Sequence, residues 1–169
     1  MVLKFKLEKG VECPSFQTDG SVGMDISVNK IINLYKGSLE AEEEKLIKVQ
    51  KGFLDRKFIK IRGFERVLFG TGIFVEIPSD IELQLRIRSS VALKKGLQIL
   101  NAPGTIDSDY RGELKVLIYN STPFLTNINY NERIAQIIPK EVIRPKTEIV
   151  EILEKTHRNE GGFGSTNEN

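Results

Sequence analysis

The chain is poor in the residues that form cross-links and metal centres. Its 169 residues include one cysteine, Cys13, and one histidine, His157. A single cysteine excludes an internal disulfide and a cysteine-based zinc site. The formal net charge is only +2, so a basic surface for non-specific nucleic-acid binding is not expected. The composition removes these classes without choosing a function.

The sequence also lacks an apolar run long enough to cross a membrane, and it has no fixed-period repeat or low-complexity tract. The first seven residues alternate apolar and polar side chains like a strand, unlike a signal peptide. We therefore expect no membrane association and a cytoplasmic location, or the host cytoplasm or nucleus if the chain is viral. With 40% hydrophobic and 28% charged residues, the composition fits one globular domain.

Short β-branched and aromatic runs, separated by Gly, Pro, Asn and Asp, occur along most of the chain. They predict strands over residues 67–69, 73–77, 81–87, 97–100, 114–119 and 134–138. This pattern favours an all-β sandwich or barrel.

Functional residue types are dense at 101–113, which reads Asn-Ala-Pro-Gly-Thr-Ile-Asp-Ser-Asp-Tyr-Arg-Gly-Glu. Alternating apolar runs flank this segment, so we expect a hairpin that bends at Pro103 and Gly104. Asp107 and Tyr110 would then lie close together. A surface turn with acidic residues is the plainer interpretation of such a segment alone.

Four other segments are similarly rich in polar, charged and glycine residues, which favours a functional site over a surface turn. They are Ser-Val-Gly-Met-Asp-Ile at 21–26, Arg-Ser-Ser-Val-Ala-Leu at 88–93, Arg-Ile-Ala-Gln-Ile-Ile at 133–138 and Arg-Asn-Glu-Gly-Gly-Phe-Gly-Ser-Thr at 158–166. Together with 101–113, and in this order, they resemble the motifs of the homotrimeric dUTPases, the deoxyuridine triphosphate nucleotidohydrolases. The resemblance implies a distorted jelly-roll or β-clip barrel over residues 1–156 and an active-site arm over residues 157–169.

The resemblance implies hydrolysis of dUTP to dUMP and pyrophosphate with Mg²⁺, through a water that attacks the α-phosphorus. This reaction lowers dUTP and supplies dUMP for thymidylate synthesis. Asp107 matches the general base, a role for which an anionic carboxylate is suited. Tyr110 matches the residue that packs on deoxyribose and leaves no room for a 2′-hydroxyl. Asp25 would orient waters of the metal, since Mg²⁺ usually keeps several.

The same resemblance assigns the remaining substrate contacts. For uracil it implies Asn101, Gly104, Thr105, Ile106 and Lys115, with the hairpin backbone excluding a 5-methyl group. For the phosphates it implies Arg88, Ser89, Ser90, Gln136 and Arg158. In the arm, Phe163 would stack over uracil, and Gly164, Ser165 and Thr166 would donate to the γ-phosphate.

A homotrimer with shared sites is also implied. One subunit would supply Asp25, Ser89 and Gln136, a second the uracil hairpin, and a third the arm. Compared with the family, residues 37–62 look like an insertion, because Asp25 and Arg88 lie 63 positions apart (88 − 25). Within it, Ser38 is placed to cap a short acidic helix at 39–44. The pattern also predicts two strands, at 46–49 and 58–61, that form a hairpin closed at Gly52. We expect an added surface element there.

The motifs depart from the family pattern at five positions. Val22 and Met24 replace an alanine and a tyrosine, and we expect Met24 to fill the same core space. Ser90 replaces a glycine. Asn159 and Asn167 stand where glycine is common, and asparagine tolerates positive φ better than most residues.

Two alternatives stay open at this point. Arg-Ser-Ser also occurs in the related dCTP deaminases, but their catalytic glutamate falls here at Leu117, and leucine cannot activate water. The other alternative is a regulatory protein that keeps the fold and binds a protein partner through residues 37–62.

Overall fold

A computed structural model describes residues 2–35, 50–51 and 57–161. This part of the chain is built almost entirely of strands, which confirms the predicted all-β class. The strands are β1 (Lys4–Leu7), β2 (Ser15–Phe16), β3 (Met24–Ser27), β4 (Lys30–Tyr35), β5 (Gln50–Lys51), β6 (Lys57–Ile61), β7 (Arg66–Gly70), β8 (Ile73–Glu76), β9 (Ile81–Ile87), β10 (Leu97–Ile99), β11 (Gly104–Ile106), β12 (Lys115–Asn120), β13 (Thr126–Asn129) and β14 (Arg133–Glu141). The described helix is α1 (Ser89–Lys95). None of the described helical residues forms a helix long and apolar enough to cross a membrane.

The described strands form four antiparallel sheets. The largest has the order β11-β9-β14-β3-β2, and a four-stranded sheet has the order β10-β12-β7-β4. Two smaller sheets are β1-β8 and β13-β6-β5. Strand β9 pairs with both β11 and β14. One sheet therefore carries residues of three of the five sequence motifs, on β3, β11 and β14, and a fourth motif, at 88–93, begins directly after β9 ends.

The core follows from the two-residue period of the strands. Buried and partly exposed side chains alternate along β9 and β12, so each strand turns one apolar face inward. Leu83, Ile137, Phe69 and Ile118, from the two large sheets, are all fully buried in one hydrophobic cluster. Each such side chain contributes about 1.5–3 kcal/mol. Met24 is also buried, at 5% exposure, as expected for the residue that replaces tyrosine.

The predicted hairpin at 101–113 needs a correction. Strands β10 and β12 do pair directly, with Ile99 opposite Ile118. The segment between them is not a simple turn, because Gly104–Ile106 forms strand β11 and pairs with β9 in the other large sheet. After Pro103 the chain therefore crosses between the sheets, and the motif is anchored on both.

The proposed insertion at 37–62 is only partly an added element. Strands β5 and β6 pair antiparallel, as a hairpin requires, and the predicted strand at 58–61 is confirmed. Strand β6 also pairs with β13, and its Ile59 and Ile61 are buried in the core. The expectation of a surface element was therefore wrong for β6. The predicted helix at 39–44, the strand at 46–49 and Gly52 lie outside the described residues.

Asn120 is a buried polar residue at the end of β12, and it joins the loop after β6 to the loop after β12. Its Nδ2 donates to the carbonyls of Ile61, Arg62 and Phe124 at 3.2, 3.0 and 2.7 Å. Its Oδ1 accepts from the backbone N–H and the hydroxyl of Thr122 at 3.0 and 2.9 Å. Its exposure is 0%, so water cannot replace these partners.

We expect Asn120→Ala to lower the free energy of unfolding by about 2–4 kcal/mol, because several buried groups lose their partner at once. Urea unfolding measures the change. Asn127→Ala, at an exposed position on β13, is the matched control and should change stability by no more than about 0.5 kcal/mol. Equal effects of the two substitutions would contradict this role of Asn120.

Candidate active site

A cavity of about 270 Å³ lies beside strands β3 and β14 and the start of α1. Five of its lining residues were predicted from the sequence as site residues, namely Asp25, Arg88, Ser89, Ser90 and Gln136. The other lining residues are Gln17, Ser21, Val22 and Gly23. The fold therefore brings together Asp25 and four of the residues that the resemblance assigns to the phosphates, but not Arg158.

Strand register accounts for this grouping. Gln136 on β14 lies opposite Asp25 on β3 and opposite Arg86 on β9. Strand β9 then leads directly into α1, with Arg88 in extended conformation at the N-cap. The sequence patterns did not predict this helix. Because Ser90 lies inside it, no left-handed backbone is needed there, and serine in place of glycine costs the helix nothing.

The side chain of Asp25 is only 9% exposed and carries the negative charge of the cavity. Its Oδ2 lies 3.2 Å from Arg88 Nε and 3.6 Å from Arg133 Nη1, yet accepts no well-directed hydrogen bond. Arg133 also donates to Gln17 Oε1 at 2.6 Å, and Arg88 donates to the carbonyl of Arg133 at 3.0 Å. Two guanidinium groups thus offset the cost of burying the carboxylate. The Oδ2 atom itself is inaccessible to water.

Gly23 controls where Gln136 lies. A Cβ at position 23 would collide with Gln136 Oε1 and would stand 3.3 Å from its Cβ. The absence of a side chain at this position therefore lets the Gln136 amide lie against β3 at the cavity wall. A glycine beside a strand often marks such a close approach, and this signal could have identified Gly23 as a functional residue from the sequence.

The residues predicted to bind uracil lie outside this cavity. Gly104, Thr105 and Ile106 form β11, opposite Leu85, Gln84 and Leu83 of β9. Asn101 is exposed in the preceding turn, and Lys115 is exposed at the start of β12. No residue of 101–113 lines the cavity described above. Within one described chain, the two groups of predicted contacts are separate.

Asp107 and Tyr110 are held together by a tight turn. The N–H of Tyr110 donates to the carbonyl of Asp107 at 3.1 Å, and both side chains are exposed. The Tyr110 hydroxyl donates to the carbonyl of Glu113 at 2.9 Å. A Cβ at Gly112 would collide with this hydroxyl, so a glycine is required for the ring to fold back over the loop.

Beyond β14 the chain leaves the sheets. Residues 143–160 are all exposed, including Ile143, Ile149, Ile152 and Leu153 at 81–102%. Arg158 Nε donates to the carbonyl of Gly161 at 2.7 Å. Asn159 has a φ of 43°, which confirms the expectation that asparagine accommodates positive φ there. Phe163, Gly164, Ser165, Thr166 and Asn167 lie outside the described residues.

Comparison with known proteins identifies the family. The family model described as dUTPase matches residues 54–167, more than half of the chain. The chain belongs to the dUTPase family. It is 38% identical over 159 residues to the deoxyuridine 5′-triphosphate nucleotidohydrolase of Fusobacterium nucleatum subsp. nucleatum, covering 94% of this chain and 92% of the relative. It is 40% identical over 163 residues to the enzyme of that name from Hydrogenobaculum sp., covering 95% and 94%.

Solved dUTPase structures have the same fold. The chain superposes on a glycine-to-serine mutant of Staphylococcus bacteriophage 80alpha dUTPase, solved with dUpNHpp, with a TM-score of 0.75, 22% identity and 98% coverage of both chains. An aspartate-to-asparagine mutant of a dUTPase from phage phi11 of S. aureus, described with a structural Mg(II) ion, gives a TM-score of 0.70 at 19% identity, covering 92% of this chain and all of that one. Leu117, in place of the deaminase glutamate, is half-buried opposite Leu68 of β7. The dUTPase expectation is therefore confirmed over the deaminase alternative.

Proposed function

We propose that this chain hydrolyses dUTP to dUMP and pyrophosphate with Asp107 as general base and Mg²⁺ as cofactor. The activity follows from membership of the dUTPase family, whose relatives at 38% and 40% identity are named deoxyuridine 5′-triphosphate nucleotidohydrolase. The observation that carries the assignment in this chain is the cavity that combines Asp25, Arg88 and Gln136. It joins cationic and amide donors to one buried carboxylate, which is the chemistry that a metal-bound polyphosphate requires.

Asp107 is proposed to take the proton from the attacking water. It is exposed at a tight turn, so a water can reach it without rearrangement of the core. A carboxylate positioned within hydrogen-bond reach of a water can contribute about 10²–10⁴-fold to the rate. Tyr110, held beside it, is proposed to pack against the deoxyribose and exclude the 2′-hydroxyl of ribonucleotides.

The remaining contacts are proposed for the base, the phosphates and the closing arm in turn. Asn101 and the backbone of β11 would read the uracil edge, together with Lys115 at the start of β12. Arg88, Ser89, Ser90 and Gln136 would bind the phosphates from the cavity. Arg158, Phe163, Gly164, Ser165 and Thr166 would close over the nucleotide from an arm at 157–169, which follows a barrel domain at 1–156. Guanidinium groups suit phosphate oxygens because they offer paired donors.

Mg²⁺ is proposed to bind through substrate and water. Among the described residues no cluster of three or more Asp, Glu, His or Cys side chains is placed to hold a metal ion. The two arginines beside Asp25 also disfavour a direct metal bond to that carboxylate. Asp25 is instead proposed to act on the ion indirectly, by orienting waters of the metal. The ion would neutralise phosphate charge and withdraw electrons from the reacting phosphorus.

A homotrimer with shared sites is proposed to complete this arrangement. The cavity residues and the Asp107 loop are separate within one chain, and residues 143–160 expose five large aliphatic side chains to solvent. Burial of these side chains against neighbouring subunits would remove an unfavourable apolar surface. It would also place each arm beside the site of a neighbouring subunit, in an arrangement that closed cyclic symmetry permits.

The function is tested by measuring pyrophosphate release from dUTP, dCTP, dTTP and UTP with Mg²⁺ and after chelation by EDTA. We expect rapid release from dUTP alone and loss of release with EDTA. Ammonia release from dCTP would instead establish a deaminase. No turnover of any nucleotide would favour the alternative of a regulatory protein that binds a protein partner.

Gly23→Ala is expected to raise the KM for dUTP about tenfold or more, because the new Cβ displaces the Gln136 amide and removes one charge-assisted hydrogen bond. Gly20→Ala is the matched control, since its Cβ would meet nothing within 4 Å. Steady-state kinetics measure KM, and thermal melting should show both variants folded. An unchanged KM in Gly23→Ala would contradict the proposed contact of Gln136 with the phosphates.

A further inference from the structure

Glu113 ends the loop that carries Asp107 and Tyr110, and its carboxylate bonds to a distant part of the chain. Glu113 Oε1 accepts the N–H of Gly72 at 2.7 Å and lies 3.0 Å from Lys30 Nζ. The side chain is only 12% exposed. Charge-assisted bonds of this kind are stronger than neutral ones, and more so where water is largely excluded. The loop is therefore anchored to the turn between β7 and β8.

The anchor has more than one contact. Leu114 N donates to the carbonyl of Ile73 at 2.8 Å, and the Thr71 hydroxyl donates to the carbonyl of Leu114 at 2.7 Å. A Cβ at Gly70 would stand 2.7 Å from Glu113 Oε1, so the chain leaves space for this carboxylate. These contacts fix the backbone of residues 113–114 against residues 70–73.

Lys30 is itself held in place. Its Nζ lies 2.8 Å from Glu8 Oε1 as well as 3.0 Å from Glu113 Oε1. The hydrogen bond to Glu8 is the main cause that raises the pKa of Lys30 above its usual value; burial opposes it, and the hydrogen bond and charge of Glu113 raise the pKa further. The ammonium group therefore stays charged beside Glu113 at neutral pH, and this contribution is lost only in strongly alkaline solution, as the pH rises through the raised pKa.

The backbone of Glu113 passes this constraint to the active-site loop. Its carbonyl accepts the Tyr110 hydroxyl at 2.9 Å, and the ring lies against Gly112. Tyr110 is 40% exposed, so this hydrogen bond and the Gly112 contact have a large share in fixing the orientation of its ring. A ring that rejects a 2′-hydroxyl by steric contact must be fixed, because a mobile ring can move aside.

We propose that Glu113 is a positioning residue for substrate specificity: its carboxylate, held by Gly72 and Lys30, fixes the carbonyl that orients Tyr110 and so sets the rejection of ribonucleotides. The inference rests on the proposed role of Tyr110 at the sugar. It predicts that loss of the Glu113 carboxylate weakens discrimination between dUTP and UTP. A residue that served stability alone would lower the rates of both substrates together.

The test is the ratio of kcat/KM for dUTP to kcat/KM for UTP, measured at high enzyme concentration for the full-length chain. We expect Glu113→Ala to lower this ratio about tenfold. Glu113→Gln, which keeps the size but loses the charge, should lower it less. Tyr110→Phe, which deletes only the hydroxyl, should lower it as well. Glu76→Ala, an exposed acid paired with Lys4, should leave it unchanged.

A double variant of Glu113→Ala and Tyr110→Phe completes the experiment. If Glu113 acts through Tyr110, the double variant lowers the ratio no further than the more affected single variant. An unchanged ratio in Glu113→Gln and Tyr110→Phe, or additive losses in the double variant, would overturn the proposal. If wild type hydrolyses no dUTP, the proposed function fails with it. If wild type is active and Tyr110→Ala keeps the ratio, the assignment of Tyr110 fails, and the proposal with it.

Discussion

Replacement of Asp107 by asparagine should lower kcat for dUTP hydrolysis by about 10²–10⁴-fold. The amide has the same shape as the carboxylate and can still bind a water, but it cannot accept the proton of that water. KM should change little, because Asp107 is proposed to act on the attacking water and not on the bound nucleotide. Pyrophosphate release at saturating dUTP and Mg²⁺ measures the loss.

Asp109→Asn is the matched control for this experiment. Asp109 lies two residues further along the same turn and is also exposed, yet it has no proposed contact with the nucleotide or the water. Its replacement makes the same change of charge in the same loop. Turnover in this variant should stay near that of wild type. A similar loss in both variants would indicate that the rate depends on the negative charge of the loop and not on proton transfer at Asp107.

Truncation after Thr156 should lower kcat/KM for dUTP by about 100-fold or more. The deletion removes Arg158, whose guanidinium is proposed to bind the phosphates, and Phe163, which is proposed to stack on uracil. Charge-assisted hydrogen bonds contribute about 1.5–3 kcal/mol each, so two or three lost contacts account for a decrease of this size. The proposed trimer should persist, because the strands and their core are intact.

The control for the truncation removes only residues 167–169. This shorter deletion keeps every arm residue proposed to contact substrate, and its activity should match that of the full chain. Size-exclusion chromatography with light scattering measures the oligomeric state of both. Full activity without residues 157–169 would remove the arm from the site, and loss of the trimer would show that residues 157–169 act in assembly instead.

Local sequence predicted those parts of the fold that depend on local chemistry. The strands at 67–69, 73–77 and 81–87 were found within a residue of β7, β8 and β9, because β-branched runs between turn residues favour strands wherever the chain folds. Helix α1 was missed. Its seven residues are too few for a helical period to stand out, and most helical stability comes from tertiary packing.

Strand β11 shows the limit of such reasoning. Pro103 and Gly104 indicated a bend, and a bend is present, but nothing local specified that residues 104–106 would pair with β9 instead of closing a hairpin. Strand β6 is similar, because its pairing with β13 makes it part of the core. Pairing partners are chosen by burial of complementary faces, and those faces exist only once the sheets assemble.

The family, the order of the five motifs and the residue types available for chemistry follow from the linear sequence, since they depend only on residue identity and spacing along the chain. The tertiary structure decided which charges meet. Asp25 lies beside Arg88 and Arg133, and Glu113 lies beside Lys30 and Gly72, although these residues are far apart in sequence. The physical reason is that electrostatic and hydrogen-bond energies depend on distance and burial, and strand register fixes both.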